Sequence, residues 1–427
     1  MKIAIIGAGI AGNTLAYHLH KKHDITVFEA GSHIGGHTHT HDIELFGKNY
    51  SIDTGFIVFN DRTYPNFIEM LDANHVAWQP SNMSFSVRDE RTGLEYNGTT
   101  LNSLFAQRRN LFKPSFYGMI QDILRFNKTA LELLTDGNEI SLGDYLAQNN
   151  YREAFINQYI VPMGAAIWST DAAQMMLFPA RFFVRFFHHH GMLTVNNRPE
   201  WRTILGGSAR YVEAITAPFK DKIKLNTPIA SVRRLKNSVK IKPQHGEEQS
   251  FDYVFFACHS DQALALLTDA STVESEILGA IPYQENTVYL HHDVSLMPKK
   301  KLAWAAWNYH LPDDSKQSMH VKQKELSNKV KVTYNMNILQ NIQSPEPILV
   351  TLNHTDLINP AKVIKRLKYT HPVYTLAGAA AQARHSEISG KNRTGFAGAY
   401  WLSGFHEDGV ASALAALTHF EAFFLTP

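Results

Sequence analysis

The chain has 427 residues, more than one hydrophobic core usually serves, so two domains are expected. Hydrophobic residues make up 44% and charged residues 19%, and Lys plus Arg (41) against Asp plus Glu (39) leaves +2, which gives no general attraction to nucleic acid. One cysteine, Cys258, excludes a disulfide framework and an ordinary thiolate zinc site; no run approaches the roughly 18 apolar residues of a membrane span, and MKIAIIGAGIAG lacks the basic start of a signal peptide, so a cytoplasmic protein is expected.

The first predicted strand is the isoleucine-rich run 2–7, ended by Gly7. A helical pattern follows from Ile10 to Lys22, with Ile10, Leu15, Ala16 and Leu19 available for one face, and Ile25–Glu29 reads as a second strand. Residues 47–60 alternate and turn like a strand pair. Residues 100–134 read as largely helical with an interruption at Pro114, and 143–160 as helical too. Strands dominate 205–260, carried by KIKLNT, SVRRLKNSVKIKPQ and FDYVFFAC, and 286–355, with NTVYLHHDV, KVKVTYNMNI and PILVTLN. A short apolar piece at 395–401 leads into a last helix from near Glu407 to near Phe424. There is no internal repeat and no low-complexity linker.

Gly7-Ala8-Gly9-Ile10-Ala11-Gly12 is G-x-G-x-x-G after a strand and at the opening of a helix. Gly7 permits the tight turn, Gly9 lets the backbone approach a pyrophosphate, and Gly12 lets helix and strand pack closely. The phosphates then meet unpaired N–H groups at the helix N-terminus. Glu29, closing the second strand, is placed to accept hydrogen bonds from ribose hydroxyls.

Gly35-Gly36 follows in the next loop, and Asp53-Thr54-Gly55 after a strand-like stretch. With Trp201-Arg202-Thr203 leading into Gly206-Gly207-Ser208, with Thr227-Pro228-Ile229, and with Gly398 and Ser403-Gly404-Phe405-His406-Glu407-Asp408-Gly409-Val410 at the end, the chain resembles the flavin-containing amine oxidase and phytoene desaturase superfamily. Within it, GGHTHT, AAIWS, FPARFFVRFF and GAYWLSGFHEDG are similar to a bacterial group of FAD/NAD-binding oxidoreductases often found beside cyclopropane-fatty-acid-synthase-like enzymes. The resemblance implies an α/β fold: a Rossmann-type FAD-binding domain assembled from 1–70, 200–265 and 385–427, plus an inserted α+β substrate domain from 71–199 and 266–384. It implies non-covalent FAD held by Gly7, Gly9, Gly12, Glu29, Gly35, Gly36, Thr54, Gly55, Ile229 and Gly398, with Ile10, Ala11, Ala30, Phe56 and Ile57 beside them. It also implies that the last helix offers the N–H groups of Gly409 and Val410 to the flavin O2.

Two positions depart from the superfamily. His37 stands where an arginine usually meets the pyrophosphate, a weaker and pH-dependent partner. Ala399 stands where an acidic residue commonly contacts the ribityl or phosphate region. His37, His39 and His41 share one face of an extended strand and admit a metal reading; a phosphate-contacting His37 with two ordinary histidines is simpler. His188-His189-His190 reads as a solvated or capping stretch, and Cys258 as a small buried residue at the end of a strand.

Active-site candidates are Tyr400, Trp401, Phe405 and His406, with Ile167-Trp168-Ser169 and Trp201 as further contributors; for Trp168 and Trp201 plain packing is an equal reading. His406 and Glu407 are candidate acid–base groups, and Glu407 equally suits the dipole of a first helical turn. The expected activity is hydride transfer between FAD and a largely apolar substrate, such as a lipid acyl chain, in desaturation, oxidation or isomerisation. An amine oxidase and a non-catalytic flavin-binding partner of a lipid-modifying enzyme are the alternatives. The expected partners are a small-molecule or lipid substrate and an electron acceptor that could be O₂, NAD(P) or quinone. Gln107–Lys128 and Arg181–Phe187 interleave basic residues with bulky apolar ones, which suggests peripheral contact with the inner membrane face.

Overall fold

Lys2–Ile6 lies at the centre of a five-stranded parallel sheet. Its side chains alternate between two cores: Ile3 and Ile5 join one with Ile25, Val27 and Phe255, and Ala4 and Ile6 join the other with Phe28, Val254 and Phe256. Burial on both faces explains the continuous apolar run. The strand order is Ile223–Lys224, Asp24–Phe28, Lys2–Ile6, Tyr253–Phe256, Thr394–Phe396. Chain order therefore reverses between Lys2–Ile6 and Tyr253–Phe256, which opens a crevice at their carboxyl ends where a dinucleotide binds in such sheets. The chain has an α/β fold with an additional region built on a second sheet. The computed structural model describes residues 1–135, 139–194, 196, 198–313, 329–354 and 357–425.

The first helix, Ile10–Leu19, packs against the last, His406–Leu425, through Ala11, Leu15, Ala413 and Ala416. Small residues on both helices allow this close crossing. The opposite face of the sheet carries the three-stranded meander 229–251 and the helices Ser260–Leu266 and Thr272–Gly279.

A seven-stranded mixed sheet forms the second body, in the order Val363–Pro372, Tyr283–His291, Leu349–Leu352, Val332–Asn335, Trp307–Leu311, Phe85–Asp89, Leu94–Asn97. Helices between Pro114 and His189 share its core through Phe116, Met119, Phe126, Phe155 and Phe183.

Several local expectations change. The first helix ends at Leu19, and the last begins at His406. Pro114 opens the helix Pro114–Thr129 at its first position, where its missing N–H is harmless, instead of interrupting one. The strand Lys48–Asp53 pairs with Thr40–Leu45 before it, not with 56–60 after it. The reason is the turn: Phe46 and Gly47 both take positive φ (54° and 71°), the backbone of a tight hairpin, without the usual Asn-Gly signature. Phe59–Asn60 pairs instead with Trp201–Ile204. A helix, Ala209–Thr216, follows the glycine turn where strands were expected to dominate. Arg181–Phe187 is not a headgroup-facing stretch, because Phe182, Phe183, Phe186 and Phe187 are all buried in the core. The strand-rich reading of 286–355 includes 314–328 and 355, which lie outside the described residues. No helix among the described residues is long and apolar enough to cross a membrane.

Candidate active site

A cavity of about 700 Å³ opens at the reversal point of the parallel sheet and runs to the seven-stranded sheet. Gly7, Gly9, Ile10 and Ala11 form one wall. Gly7 takes φ +106°, and a Cβ there would stand 2.6 Å from the Ala257 carbonyl oxygen, so the turn requires glycine. Gly12 lies beneath the lining, with Gly7's carbonyl where its Cβ would be. Gly9 caps the first helix without a side-chain hydrogen bond, and the first turn carries no acidic residue. That helix end presents backbone N–H groups with no competing anion.

Glu29 and Ala30 also line the cavity. The Glu29 carboxylate accepts the Ala8 N–H at 2.8 Å and the Gly31 N–H at 2.7 Å, which fixes both oxygens while leaving lone pairs for ribose hydroxyls. Gly35, Gly36, His37, Thr54, Gly55, Phe56, Ile57, Ile229, Gly398 and Ala399 complete this half. Gly36, at φ +61°, packs against Gly9, where a Cβ would approach the Gly9 Cα to 3.1 Å.

The His37 ring sits between Tyr369 (5.2 Å) and His371 (5.3 Å), and burial lowers its pKa to about 4. It is therefore neutral near pH 7, and its Nε2 has no partner among the described residues. Tyr374 OH, Tyr400 OH and Trp307 Nε1, on the same lining, are likewise buried without partners. Unpaired polar atoms, a glycine cradle and an uncapped helix end fit a polar cofactor that supplies the missing hydrogen bonds.

Asp53 does not reach the cavity. It accepts hydrogen bonds from Thr40 Oγ1 (2.5 Å), Ser208 N (2.9 Å), Ser208 Oγ (2.7 Å) and Gln340 Nε2 (3.0 Å), tying the glycine turn 206–208 to the hairpin.

Of the catalytic candidates, Tyr400, Phe405 and His406 line the cavity. The His406 ring stacks on Phe56 at 3.7 Å, and its Nε2 lies 2.5 Å from Tyr211 OH and 3.2 Å from Thr38 Oγ1. Burial lowers its pKa to about 3, so the ring is held neutral. Trp401 is not brought to the cavity; its indole stacks on His385 at 4.1 Å within the neighbouring core. The tight turn Ala399–Trp401 sends Tyr400 and Trp401 different ways. Gly409 and Val410 are also outside the lining, and the Gly409 N–H donates to the Phe405 carbonyl at 3.1 Å. The earlier start of the helix consumes that N–H internally. Trp168 and Trp201 both face the cavity, and Trp168 Nε1 donates to the Ser403 carbonyl at 3.1 Å.

Cys258 follows its strand and lies on the lining, where burial raises its thiol pKa to about 12. His188 and His189 are exposed at the end of their helix, whereas His190 stacks on Phe186 at 3.8 Å. His33 stacks on His39, and His41 is tilted against His39 (4.0 Å for each pair); no group of three side chains placed to hold a metal ion is found among the described residues.

The far half of the cavity is made by residues that sequence reasoning missed: Met83, Phe186, Met192, Val288, Trp307, Tyr334, Leu352, His371 and Tyr374. Only the aromatic run around His371-Pro372-Val373-Tyr374, at the end of a strand, hinted at them. Glu29 is the sole Asp, Glu, Lys or Arg among the lining residues.

The family model described as flavin containing amine oxidoreductase matches residues 10–290. No curated protein matches the chain. Among solved structures, the fold is similar to cyclohexylamine oxidase from Brevibacterium oxydans IH-35A (15% identity, 99% of each chain, TM-score 0.69). It is similar to a CLA-producing fatty acid isomerase from P. acnes (17% identity, 98% of each chain, TM-score 0.64). It is also similar to UDP-galactopyranose mutase (14% identity, 99% of this chain and 95% of that one, TM-score 0.68).

Proposed function

This chain belongs to the flavin containing amine oxidoreductases and is an FAD-dependent oxidoreductase, and we propose that it acts on a largely apolar substrate, a lipid acyl chain, with FAD held non-covalently. One observation carries the reading: the substrate half of the cavity is walled by Met83, Trp168, Phe186, Met192, Trp307 and Leu352 and holds no charged side chain among the described residues. Binding an ammonium or a carboxylate there would bury its charge without a partner, at a cost of several kcal/mol. An acyl chain loses nothing by entering.

When bound, FAD would supply the redox chemistry for hydride exchange at a substrate C–H. Glu29 would hold the ribose end, the Gly7–Gly12 turn would take the pyrophosphate, and neutral His37 would offer a hydrogen bond without charge. The buried aromatic wall excludes water, and Tyr374 OH and Trp307 Nε1 provide the polar handles that orient a substrate functional group. Cys258, held as a thiol, is no nucleophile for covalent attachment.

Anaerobic mixing of the holoenzyme with acyl lipids and, separately, with alkyl and aryl amines tests this reading. Flavin bleaching by acyl lipids alone is the expected result. Bleaching by amines alone makes the protein an amine oxidase, and bleaching by neither points to a non-catalytic partner.

A further inference from the structure

The second body carries apolar side chains that are exposed among the described residues. Phe112 is 86% exposed and Leu101 77%, and Leu111, Tyr117, Leu124 and Leu302 are exposed beside them in the fold. These positions are not loosely anchored. The helix Pro114–Thr129 turns Phe116, Met119 and Phe126 into the core, which leaves Tyr117 and Leu124 on its outer face. The Tyr117 hydroxyl donates to the Leu111 carbonyl at 3.1 Å, which fixes the turn Arg108–Phe112 against that helix. The short helix Leu101–Leu104 packs on the turn Lys301–Ala303, bringing Leu101 and Leu302 into one region.

Next to this apolar ridge, Arg108, Arg109, Lys299 and Lys300 line a depression of about 610 Å³. Its acidic residues are already engaged. Glu90 pairs with Arg88 at 2.6 Å and Asp89 with Arg91 at 3.0 Å, while Glu95 accepts the backbone N–H groups of Lys299 and Lys300 at 2.9 and 3.0 Å. The Arg108, Arg109, Lys299 and Lys300 side chains form no ion pair among the described residues. Fixed positive charge therefore stands beside an apolar ridge.

We infer that this face docks on an anionic lipid surface, with Phe112, Leu111 and Leu101 entering the interface and the Arg108, Arg109, Lys299 and Lys300 cluster meeting lipid phosphates. Charge complementarity selects this occupant: Arg108 and Arg109 donate only to neutral acceptors, on Asn102 and Phe105 and on the Gly93 carbonyl respectively, so a neutral groove would leave all four cations without a counter-charge, which a sheet of phosphates supplies. Within Gln107–Lys128 the sequence showed the basic and aromatic mixture. The fold adds neighbouring Leu101 and, from a distant chain position, the Lys299–Leu302 turn, and it removes Arg181–Phe187. The inference does not rest on the substrate assignment, because its test reads partition and not turnover.

The holoenzyme is floated with vesicles of equal phosphatidylglycerol and phosphatidylcholine, and with phosphatidylcholine alone, at low and high salt. Binding to the anionic vesicles that weakens with salt is expected, because screening shortens the reach of the basic cluster. The double variant Phe112→Ser/Leu101→Ser and the double variant Lys299→Glu/Lys300→Glu should each lower the bound fraction by about tenfold. All four substituted side chains lie outside the cavity, so unchanged flavin absorbance and melting temperature verify the fold. Equal binding to neutral vesicles, or no binding to either, overturns the inference. So does a salt-insensitive dimer in sedimentation that Phe112→Ser dissociates, which would assign the ridge to a second copy of the chain.

Discussion

The Glu407 carboxylate, in the first turn of the last helix, accepts the backbone N–H of Phe67 at 2.9 Å and caps a different helix, Pro65–Ala73. Its other oxygen accepts the Asn66 N–H at 3.1 Å and the Asn66 side-chain amide at 2.6 Å. Tyr64, at the N-cap, supplies no side-chain hydrogen bond of its own. The cavity-lining helix end at His406 is thereby anchored to a neighbouring element through three donors.

Glu407→Ala should cost about 1–3 kcal/mol, because three partly buried donors lose an ionised acceptor. The rate of flavin reduction in the folded variant should stay within about twofold, because the carboxylate is committed away from the cavity. Chemical denaturation and stopped-flow reduction measure the two quantities. A stable variant that fails to reduce its flavin would return Glu407 to the acid–base candidates.

Glu29→Gln should weaken FAD by about 1–3 kcal/mol, since an amide replaces one of the charged oxygens that hold the turn and face the ribose. Titration of apoprotein with FAD gives the change directly. Unaltered affinity would remove Glu29 from the binding site.

Tyr374→Phe separates folding from function. The hydroxyl is buried with no partner among the described residues, so its removal should leave apoprotein stability unchanged or raise it by about 1 kcal/mol. The rate of flavin reduction by substrate should fall. A destabilised apoprotein with unchanged reduction would show that the hydroxyl serves the fold.

Acid should destabilise the protein between about pH 6.5 and pH 4. Burial lowers the pKa values of His37 to about 4 and of His371 and His406 to about 3, against an unfolded value of 6.5. In that window the unfolded chain binds protons that the folded chain does not, so stability is present above pH 6.5 and declines as pH falls. The slope is at most about 1.4 kcal/mol per pH unit for each histidine. Melting temperatures across the window measure it, and His371→Gln should flatten the curve. Stability that stays constant down to pH 4 would contradict the burial of these rings.

The nucleotide half was legible in the sequence because its constraints are local. A strand ended by Gly7, a glycine turn that opens a helix, a carboxylate after the second strand and a helix opening at HEDG are each written in a few consecutive residues, although the groups they meet, Ala257 against Gly7, Ala8 on Glu29 and Phe67 on Glu407, come from elsewhere in the chain. Backbone geometry and helix ends dictate those residue types directly. The substrate half was decided by tertiary structure alone. Met83, Trp307, Tyr334, His371 and Tyr374 meet because four separated segments enter one sheet or its edge, and strand register between distant segments leaves no local pattern to read. The same distinction separates neighbours: Tyr400 reaches the cavity and Trp401 does not, while RFFVRFF, apolar and basic enough for a surface, turns its phenylalanines into the core. Which face of an amphipathic element is covered depends on what packs against it, and that is settled only when the whole chain has folded.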